Sequence, residues 1–517
     1  MRPSRPSALR RLRALAWLVL LVPASLLHPE SLARHRAPAP ARRARGPNFL
    51  ILVGDDHAAG TLGLDGDPRR ATPRLDALAR QGVRFDRAYC NAPFCTASRQ
   101  SFLTGRMPHA VGVTRLTTPL PEDAVTLGDW LGDLGYDTAA IGKTHFNSDA
   151  HHGFATRLDT ADWNAWLRQH PPAGGDHRRE RRPFRDPPAS WLNTGVDSFG
   201  LPEPAMESSY QVERAAEFLS GHKDRDRSAP FALVVGFPEP HAPFKFPDDW
   251  QPRFRPEQFA VPPTSEADHL IQPKVFSGLT PEQVRGAQAS YFTSLSFLDH
   301  EVGRVLDALE ASGLAEETVV VYLSDNGYLL GQHGRFEKHC FYEPAVRVPL
   351  IFRWPGHLPA GRRVTDLVEL VDLMPTLLDL AGLPMPPDLH GQSLAALGRG
   401  EPGAKGREVV VGEYLENEEA MARSDRYKLV VGNGARRRRD GYSTGRPLPG
   451  PYERLYDMEA DPGETTNLRG RPDLAPVADD LRRRLLERLR STRGDRPPVP
   501  PGLSEADALR WCLIPQD

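Results

Sequence analysis

The sequence predicts a doubly wound α/β fold, in which a mostly parallel sheet is flanked by helices and followed by a smaller α+β domain. Short apolar runs without polar alternation are typical of strands that are buried on both faces of a parallel sheet. Segments with helix start and stop signals separate the early runs, as in strands that are joined by crossover helices. The clearest apolar runs lie at 48–53, 231–235, 319–323 and 348–352.

The first strand and the first helix have well-marked ends. The run at 48–53 leads into Gly54 and the acidic pair Asp55-Asp56. Thr72-Pro73 suits the N-cap and first residue of a helix, and Gly82 ends that helix. The opening of the fold is therefore predicted as strand, polar loop and helix.

The next helix is predicted over 127–134, where Gly135 stops it, and a strand over 138–141 follows. In doubly wound sheets, ligands bind beyond the carboxyl ends of the strands. Polar residues that follow strand ends far apart in the chain are therefore expected to converge on one edge of the sheet. These residues are Asp55, Asp56, Lys143, Asp325 and Asn326.

The pattern of predicted secondary structure changes after about residue 395. Short strands are predicted at 408–411, 427–431 and 454–456, and they are separated by loops. Apolar residues then recur every four positions from Val477 to Leu489, which predicts an amphipathic helix packed against another element. We expect a large α/β domain over 47–395, an α+β subdomain over 396–495 and a C-terminal tail over 496–517.

Composition excludes several classes of protein. The 517 residues suffice for one large domain and a smaller one. The 65 basic and 67 acidic side chains balance, so the chain lacks the basic footprint of a nucleic-acid-binding protein. Four cysteines, Cys90, Cys95, Cys340 and Cys512, are too few for a disulfide scaffold.

The N-terminal segment is predicted to direct export, to the periplasm or out of the cell. Five arginines precede an apolar stretch over 14–27, which is the pattern of a signal peptide over 1–27. The stretch is shorter than the roughly 20 residues of a membrane-spanning helix, so no stable span is expected. A short uncleaved membrane anchor is the alternative. Residues 28–46 are rich in Ala, Arg and Pro and are predicted to be a disordered linker.

The most specific motif surrounds Cys95. Residues 91–106 read NAPFCTASRQSFLTGR, in which Ala97 and Arg99 follow the cysteine at fixed spacing. A helix over 97–103 would place Cys95 at its N-terminus, where anions are favoured, with Arg99 on the same face. A buried cysteine that acts only as a small apolar residue is the alternative.

This segment resembles the signature of the formylglycine-dependent type I sulfatases, which belong to the alkaline-phosphatase-like superfamily. The resemblance extends along most of 47–495 and implies the same two-domain layout. It also implies that a formylglycine-generating enzyme oxidises Cys95 to formylglycine (3-oxoalanine).

An oxygen-rich metal site is predicted from two strand ends. Asp55-Asp56 and Asp325-Asn326 together offer three carboxylates and one amide, a donor set that suits Ca²⁺ or Mg²⁺. Solvated polar residues at strand exits are the alternative for each pair alone. The resemblance implies that these four residues bind Ca²⁺, with the modified Cys95 as a further ligand.

Further matched segments carry lysines and histidines. Lys143 and His145 lie in one such segment, His241 in a second and Lys338 in a third. The chain has only seven lysines against 58 arginines, so two lysines at matched positions are unlikely to be incidental. Lys245 and His333 lie near these segments and are expected as substrate contacts.

The resemblance also implies a mechanism. A hydroxyl of the formylglycine hydrate attacks sulfur, while Arg99, Lys143, Lys338 and the metal neutralise charge on the sulfate oxygens. Either His241 or Lys338 protonates the leaving alcohol. His145 then accepts the proton whose removal expels sulfate.

Two other functions remain open from the sequence. A phosphodiester or phosphonate monoester hydrolase of the same superfamily would share the signature, and a non-catalytic binder of sulfated glycans would share the fold. The segment around His241 is similar to that of iduronate-type sulfatases, so a sulfated carbohydrate is favoured over choline sulfate or a simple aryl ester. The arginine runs 178–182 and 436–439 are interpreted as solvated loops, with an anionic polysaccharide contact as the alternative.

Overall fold

The larger sheet of the fold is mixed but mostly parallel. In a computed structural model of the chain, the residues described are 46–66, 69, 71–172, 192–199, 201–224, 229–434, 444–446, 450–494 and 496–515. The strands of this sheet are β1 (Asn48–Gly54), β2 (Val83–Tyr89), β3 (Asp137–Gly142), β4 (Thr156–Leu158), β5 (Phe231–Gly236), β6 (Thr318–Ser324), β7 (Arg347–Arg353) and β8 (Arg362–Glu369).

The strand order is β4-β3-β5-β1-β6-β7-β2-β8. β7 runs antiparallel to both of its neighbours, and the other pairings in this sheet are parallel. Every strand predicted from an apolar run lies in this sheet. The predicted fold class is therefore confirmed.

Helices cover both faces of the larger sheet and one face of a smaller one. They are α1 (Pro73–Gln81), α2 (Cys95–Thr104), α3 (Pro108–Val111), α4 (Leu127–Asp133), α5 (Thr160–Gln169), α6 (Glu207–Asp224), α7 (Glu266–Ile271), α8 (Pro281–Ser312), α9 (Glu343–Val346), α10 (Leu373–Leu380), α11 (Ala395–Arg399), α12 (Ala475–Ser491) and α13 (Glu505–Cys512). None of the helices in the described part of the chain is both long and apolar enough to cross a bilayer.

The residues of β1 explain why its sequence is apolar without interruption. Successive side chains of a strand point to opposite faces of the sheet. Phe49, Ile51 and Val53 pack with α2, α4 and α10, whereas Leu50 and Leu52 pack with α1, α6 and α8. Since both faces are covered, each residue of the strand is buried, and its one polar residue, Asn48, accepts a hydrogen bond from the Phe231 backbone N–H at 3.0 Å.

The smaller sheet is antiparallel and lies near the C-terminus. Its strands are β9 (Val410–Tyr414), β10 (Glu419–Arg423), β11 (Tyr427–Gly432) and β12 (Tyr452–Asp457), in the order β12-β11-β10-β9. Leu429 and Leu455 pack against Leu481 and Leu485 of α12. This sheet and α12 lie in the region that was predicted as a subdomain.

The predicted tail contains α13, whose Leu509 is buried with the apolar face of α12. The four cysteines are buried and form no disulfide. The predicted signal peptide, nearly all of the linker and both arginine runs lie outside the described residues.

Candidate active site

The candidate site forms where parallel strands end at one edge of the larger sheet. Gly54 of β1 pairs with Ser324 of β6, so the residues that follow these strands are neighbours. On the other side of β1, Gly236 of β5 pairs with Val53 and with Gly142 of β3. The register of the sheet therefore brings Asp55, Asp56, Lys143, Asp325 and Asn326 to one place.

Three carboxylates are fully buried at this edge. The Asp56 backbone N–H donates to Asp325 Oδ1 at 3.2 Å, and Asn326 Nδ2 donates to Asp56 Oδ1 at 2.6 Å. Asp55 and both of these aspartates are 0% exposed. Asp56 has a φ of 70°, a left-handed conformation that costs free energy for a non-glycine residue and is often found at functional sites.

Three cations face the carboxylates. Arg99 Nε donates to Asp325 Oδ2 at 2.7 Å, and Lys143 Nζ contacts Asp55. Lys338 Nζ lies 2.6 Å from Asp56 Oδ1 and 2.9 Å from Cys95 Sγ. Burial would raise the pKa of Asp55, but Lys143 and the neighbouring cations hold it well below its ordinary value.

Cys95 is the first residue of α2 and is buried. Its sulfur lies 3.4 Å from Asp55 Oδ1. Burial and the Asp55 charge oppose ionisation, but Lys143 and Lys338 lower the pKa of the Cys95 thiol to about 6. The helix N-terminus also favours negative charge. An anionic group is therefore stabilised at the position of this side chain.

Two predicted histidines border the same position. His241 Nδ1 lies 2.6 Å from the Ala242 carbonyl oxygen, and His241 Nε2 lies 3.8 Å from Asp56 Oδ2. His145 Nδ1 lies 3.4 Å from Thr96 Oγ1. Burial, and after it the charge of Lys143, lowers the pKa of His145 well below its ordinary value, so its imidazole is neutral.

The donor set of the site fits a hard divalent cation. Asp56 Oδ2 and Asn326 Oδ1 are buried oxygens without a hydrogen-bond partner in the described part of the chain. Potential ligand atoms of Asp55, Asp56, Cys95 and His241 lie within 4.8 Å of one another. Asp325 stands beside this group with its Oδ2 bound to Arg99. Carboxylate and amide oxygens are the ligands that Ca²⁺ and Mg²⁺ prefer.

A cleft of about 540 Å³ opens beside these residues. Asp55, Lys143, His145 and His241 line it, and so does Lys245. His333, in contrast, is held by Asp268 at 2.8 Å and stacks on Tyr342, and it is not among the residues that line the cleft.

Sequence reasoning missed several side chains of the cleft. Arg157, Asp159 and Glu207 line it and lie outside every matched segment, whereas Glu239 lies in the segment 237–244 around His241 but was not singled out. Burial, with a contribution from Glu207, raises the pKa of Glu239 to about 8, so this buried side chain is largely protonated at neutral pH. A position after a strand end could have indicated Glu239, which follows β5.

The chain matches two protein-family models and is similar to known sulfatases. The model described as Sulfatase matches residues 47–383, and the model described as N-sulphoglucosamine sulphohydrolase, C-terminal, matches residues 331–491. A choline-sulfatase of Rhizobium meliloti (strain 1021) is 31% identical over 500 residues, which cover 90% of each chain. Iduronate 2-sulfatase of Homo sapiens is 29% identical and covers 66% of this chain and 70% of its own length.

Solved structures agree in fold. The phosphonate monoester hydrolase of Agrobacterium radiobacter superposes with a TM-score of 0.70 at 24% identity, covering 86% of this chain and 95% of that one. At this identity the likeness concerns the fold alone. The Sulfatase model, by contrast, spans most of the chain, including Cys95 and both acidic strand ends. The chain belongs to the sulfatase family, whose members are sulfuric ester hydrolases.

Proposed function

We propose that this sulfatase releases inorganic sulfate from a sulfate ester on a carbohydrate, through a formylglycine formed from Cys95 and with a divalent cation. One observation carries the proposal. Cys95 begins α2 and is surrounded by the cations Arg99, Lys143 and Lys338, so that a nucleophile and an anionic ester would meet at one position.

Cys95 stands here as an unmodified cysteine, and its sulfur stands in for the hydroxyl of a hydrated aldehyde. The hydrate of formylglycine carries two hydroxyl groups. One would attack sulfur, and loss of the proton from the other would later expel sulfate and restore the aldehyde. A formylglycine-generating enzyme is the partner that this chemistry requires. The signal-peptide pattern of residues 1–27 supports a periplasmic or secreted location.

The three cations have a common role in binding the sulfate oxygens. Arg99 NH2 is buried without a hydrogen-bond partner among the described residues, so this donor is free for a sulfate oxygen. Lys143 and Lys338 lie against carboxylates at the same position, from which their ammonium groups can also reach the ester. Charge that builds up in the transition state would be stabilised by all three.

The histidines have roles in proton transfer. His241 Nδ1 faces a carbonyl oxygen, an arrangement that puts the proton on Nδ1 and leaves Nε2 directed towards Asp56. The proton that goes to the leaving alcohol then comes either from Nε2 of His241 in its doubly protonated form, which becomes neutral with its remaining proton on Nδ1, or from the Lys338 ammonium. His145 is neutral because of burial and therefore can accept the proton whose removal releases sulfate.

The cation site consists of Asp55, Asp56, Asp325 and Asn326, beside Cys95. Ca²⁺ is the ion we propose, with Mg²⁺ as the alternative. When bound, it supplies positive charge that lowers the pKa of the nucleophile and polarises the ester. The buried oxygens of Asp56 and Asn326 that lack hydrogen-bond partners support this assignment.

The cleft favours a sugar over a quaternary ammonium. Recognition of a quaternary ammonium relies on aromatic faces, and Phe146 is the one aromatic residue among the described residues that line the cleft. Polar side chains dominate the lining, as expected for a ligand rich in hydroxyl groups. Lys245 Nζ lies 4.2 Å from the centre of the Phe199 ring and makes no ion pair within the described chain, so it suits a second anionic group on the sugar.

Mass spectrometry tests the modification, and paired substrates test the reaction. The active protein should carry an aldehyde at residue 95 that reacts with a hydrazide probe, and Cys95→Ala should be inactive. An intact thiol in fully active protein would contradict the proposal.

Turnover of 4-nitrophenyl sulfate should exceed that of 4-nitrophenyl phosphate, whereas the reverse order would favour a phosphoester hydrolase. Desulfation of a panel of defined sulfated oligosaccharides identifies the sugar.

A further inference from the structure

A second cavity lies outside the catalytic cleft and has the chemistry of a binding site. Its volume is about 370 Å³, which is within the range of small-ligand sites. It lies between the segment 335–342 and the smaller sheet, and it shares no lining residue with the catalytic cleft.

The strand β12 supplies one wall of this cavity. Residues two apart on a strand point to the same face, and Tyr452, Arg454 and Tyr456 all line the cavity. Tyr342, whose ring centroid lies 6.4 Å from that of Tyr456, contributes a further ring. The cavity is thus lined by several aromatic faces and a guanidinium group, which together suit a flat ring that carries negative charge.

The charge of the cavity is not fully balanced. Arg454 lies 4.5 Å above the Tyr452 ring and has no ion pair in the described part of the chain. Arg335, which also lines the cavity, is paired with Glu337 at 2.6 Å. Glu419 also lines the cavity and acts electrostatically on Arg454, but no ion pair joins the two in the described part of the chain. A ligand with a sulfate or carboxylate group would supply the missing partner of Arg454.

A hydrogen-bond acceptor also faces the cavity. Asn417 is 3% exposed, and its Oδ1 has no hydrogen-bond partner among the described residues. A buried acceptor without a donor costs free energy, which a ligand hydroxyl would recover. Aromatic faces, an unpaired guanidinium and an unsatisfied amide oxygen are the groups that recognise the ring, the anionic substituent and the hydroxyls of a sugar.

We propose that this cavity is a second, non-catalytic binding site for an anionic saccharide. The choice of saccharide rests on the proposed carbohydrate substrate. The cavity and the catalytic site share one segment of chain: Lys338 faces Cys95, while the adjacent His339 and Cys340 line the cavity. A saccharide bound there would therefore lie behind the segment that carries a catalytic lysine.

Binding to heparin, measured with the full chain at fixed ionic strength, tests the proposal. Arg454→Gln should weaken binding by about tenfold, because a single charge-assisted contact typically accounts for that much affinity. It should leave kcat/KM for 4-nitrophenyl sulfate unchanged. Arg471→Gln is the matched control, since Arg471 is exposed on the same part of the chain and paired with Asp473, and it should change neither quantity. Equal binding by wild type and Arg454→Gln would overturn the proposal.

A second variant and a second measurement distinguish loss of binding from misfolding of Arg454→Gln. Asn417→Asp keeps the shape of the side chain but adds negative charge to the cavity, so it should also weaken binding of heparin. On binding a sulfated disaccharide, backbone amides of β12 and of 335–342 should gain protection from hydrogen exchange. Protection confined to 143–149 in the catalytic cleft would overturn the proposal.

The outcomes separate this inference from the proposed function. Wild type that releases sulfate from none of the defined sulfated oligosaccharides but binds heparin through Arg454 would contradict the proposed function alone. Two sources of the saccharide are also distinguishable. A substrate chain that occupies both sites predicts a higher KM for polymeric substrate in Arg454→Gln, and a separate saccharide predicts that this KM does not change.

Discussion

Arg99 shows how one residue joins the architecture of the site to its chemistry. It is 2% exposed, and its guanidinium connects two strand ends, since Nε donates to Asp325 Oδ2 and NH1 donates to the Lys143 carbonyl oxygen at 2.5 Å. The third nitrogen, NH2, is buried without a hydrogen-bond partner among the described residues and lies 4.0 Å from Asp55 Oδ1. A planar group with several fixed donors is needed for these contacts to form together.

Replacing Arg99 with lysine keeps the charge but not the fork of donors. We expect Arg99→Lys to lower kcat for 4-nitrophenyl sulfate by about 100-fold, the size of effect seen when one transition-state donor is lost. The free energy of unfolding should fall by about 1–3 kcal/mol, because buried hydrogen bonds to the Asp325 carboxylate and the Lys143 carbonyl oxygen are lost. Arg483→Lys, on the exposed face of α12, is the control in both the kinetic assay and urea denaturation. Activity within twofold of wild type would contradict the role of Arg99.

Sequence reasoning anticipated the residues that are tied to strand ends or to the Cys95 motif. Asp55 and Asp325 were expected to meet because they directly follow buried strands, and the register of β1 with β6 makes them neighbours. Glu207 and Arg157 could not be found in this way. They reach the cleft from helix α6 and strand β4, and their place there depends on how these elements pack rather than on any local pattern.

At the scale of elements, strands were predictable where burial is purely apolar. β2 was missed because Arg84, Asp86 and Arg87 interrupt its sequence. Arg84 is nonetheless buried, and its charge is balanced by Asp65 at 2.8 Å and Asp86 at 2.7 Å. Such a strand becomes stable only when its ion-pair partners are in place, and hydrophobic periodicity cannot identify either of these two aspartates as a partner of a buried residue.

The helix α7 is attached to the segment before Lys338 through Asp268 and His333. Burial alone would raise the pKa of Asp268, but the hydrogen bond to His333 and those from Ser265 lower it to about 2. A carboxyl whose pKa is lower in the folded state stabilises that state above its unfolded pKa of about 4. The contribution is lost as the pH falls from about 4 to about 2.

Asp268→Asn should therefore be less stable than wild type by about 2 kcal/mol at neutral pH, with the difference shrinking below about pH 4. Urea midpoints measured across that range at constant ionic strength test this expectation. Glu266→Gln, an exposed substitution on the same helix, should follow the wild-type profile. An Asp268→Asn protein whose stability differs from wild type by the same amount at every pH would contradict the linkage.

At the scale of the whole molecule, a buried ion network joins the two sheets. Lys428 of β11 is 0% exposed, and its Nζ lies 3.2 Å from Glu343 Oε1 and contacts Glu464. Glu343 Oε2 in turn accepts from the hydroxyl of Tyr89 in β2 at 2.9 Å. The smaller sheet is thus connected to the larger one by a charged network that lies inside the protein.

Removing the cation of this network should be costly. Lys428→Met leaves two carboxylates buried near each other, and we expect the free energy of unfolding to fall by about 3–5 kcal/mol. Adding Glu464→Gln to that variant should recover part of the loss, since one of the unpaired charges is removed. Lys405→Met, at an exposed lysine, should have little effect. A Lys428→Met protein within 1 kcal/mol of wild type would show that the network contributes little.

The proposed cation should stabilise the whole molecule, because Asp55, Asp56 and Asp325 are buried close together and an ion that binds them only in the folded state favours folding. At a Ca²⁺ concentration about 100-fold above Kd, the free energy of unfolding should rise by about 2.7 kcal/mol. Treatment with a chelator should lower both Tm and sulfatase activity, and Ca²⁺ should restore both. Asp56→Asn should reduce the Ca²⁺-dependent shift in Tm.

Glu203→Gln is the matched control for this prediction. Glu203, His300 and Glu301 form a second cluster of potential ligands, whose acidic members already contact Trp250, Ser209 and Arg304. If the Ca²⁺-dependent shift in Tm were lost in Glu203→Gln but kept in Asp56→Asn, the cation would bind at the Glu203 cluster and not beside Cys95. The proposed role of a cation in catalysis would then be wrong.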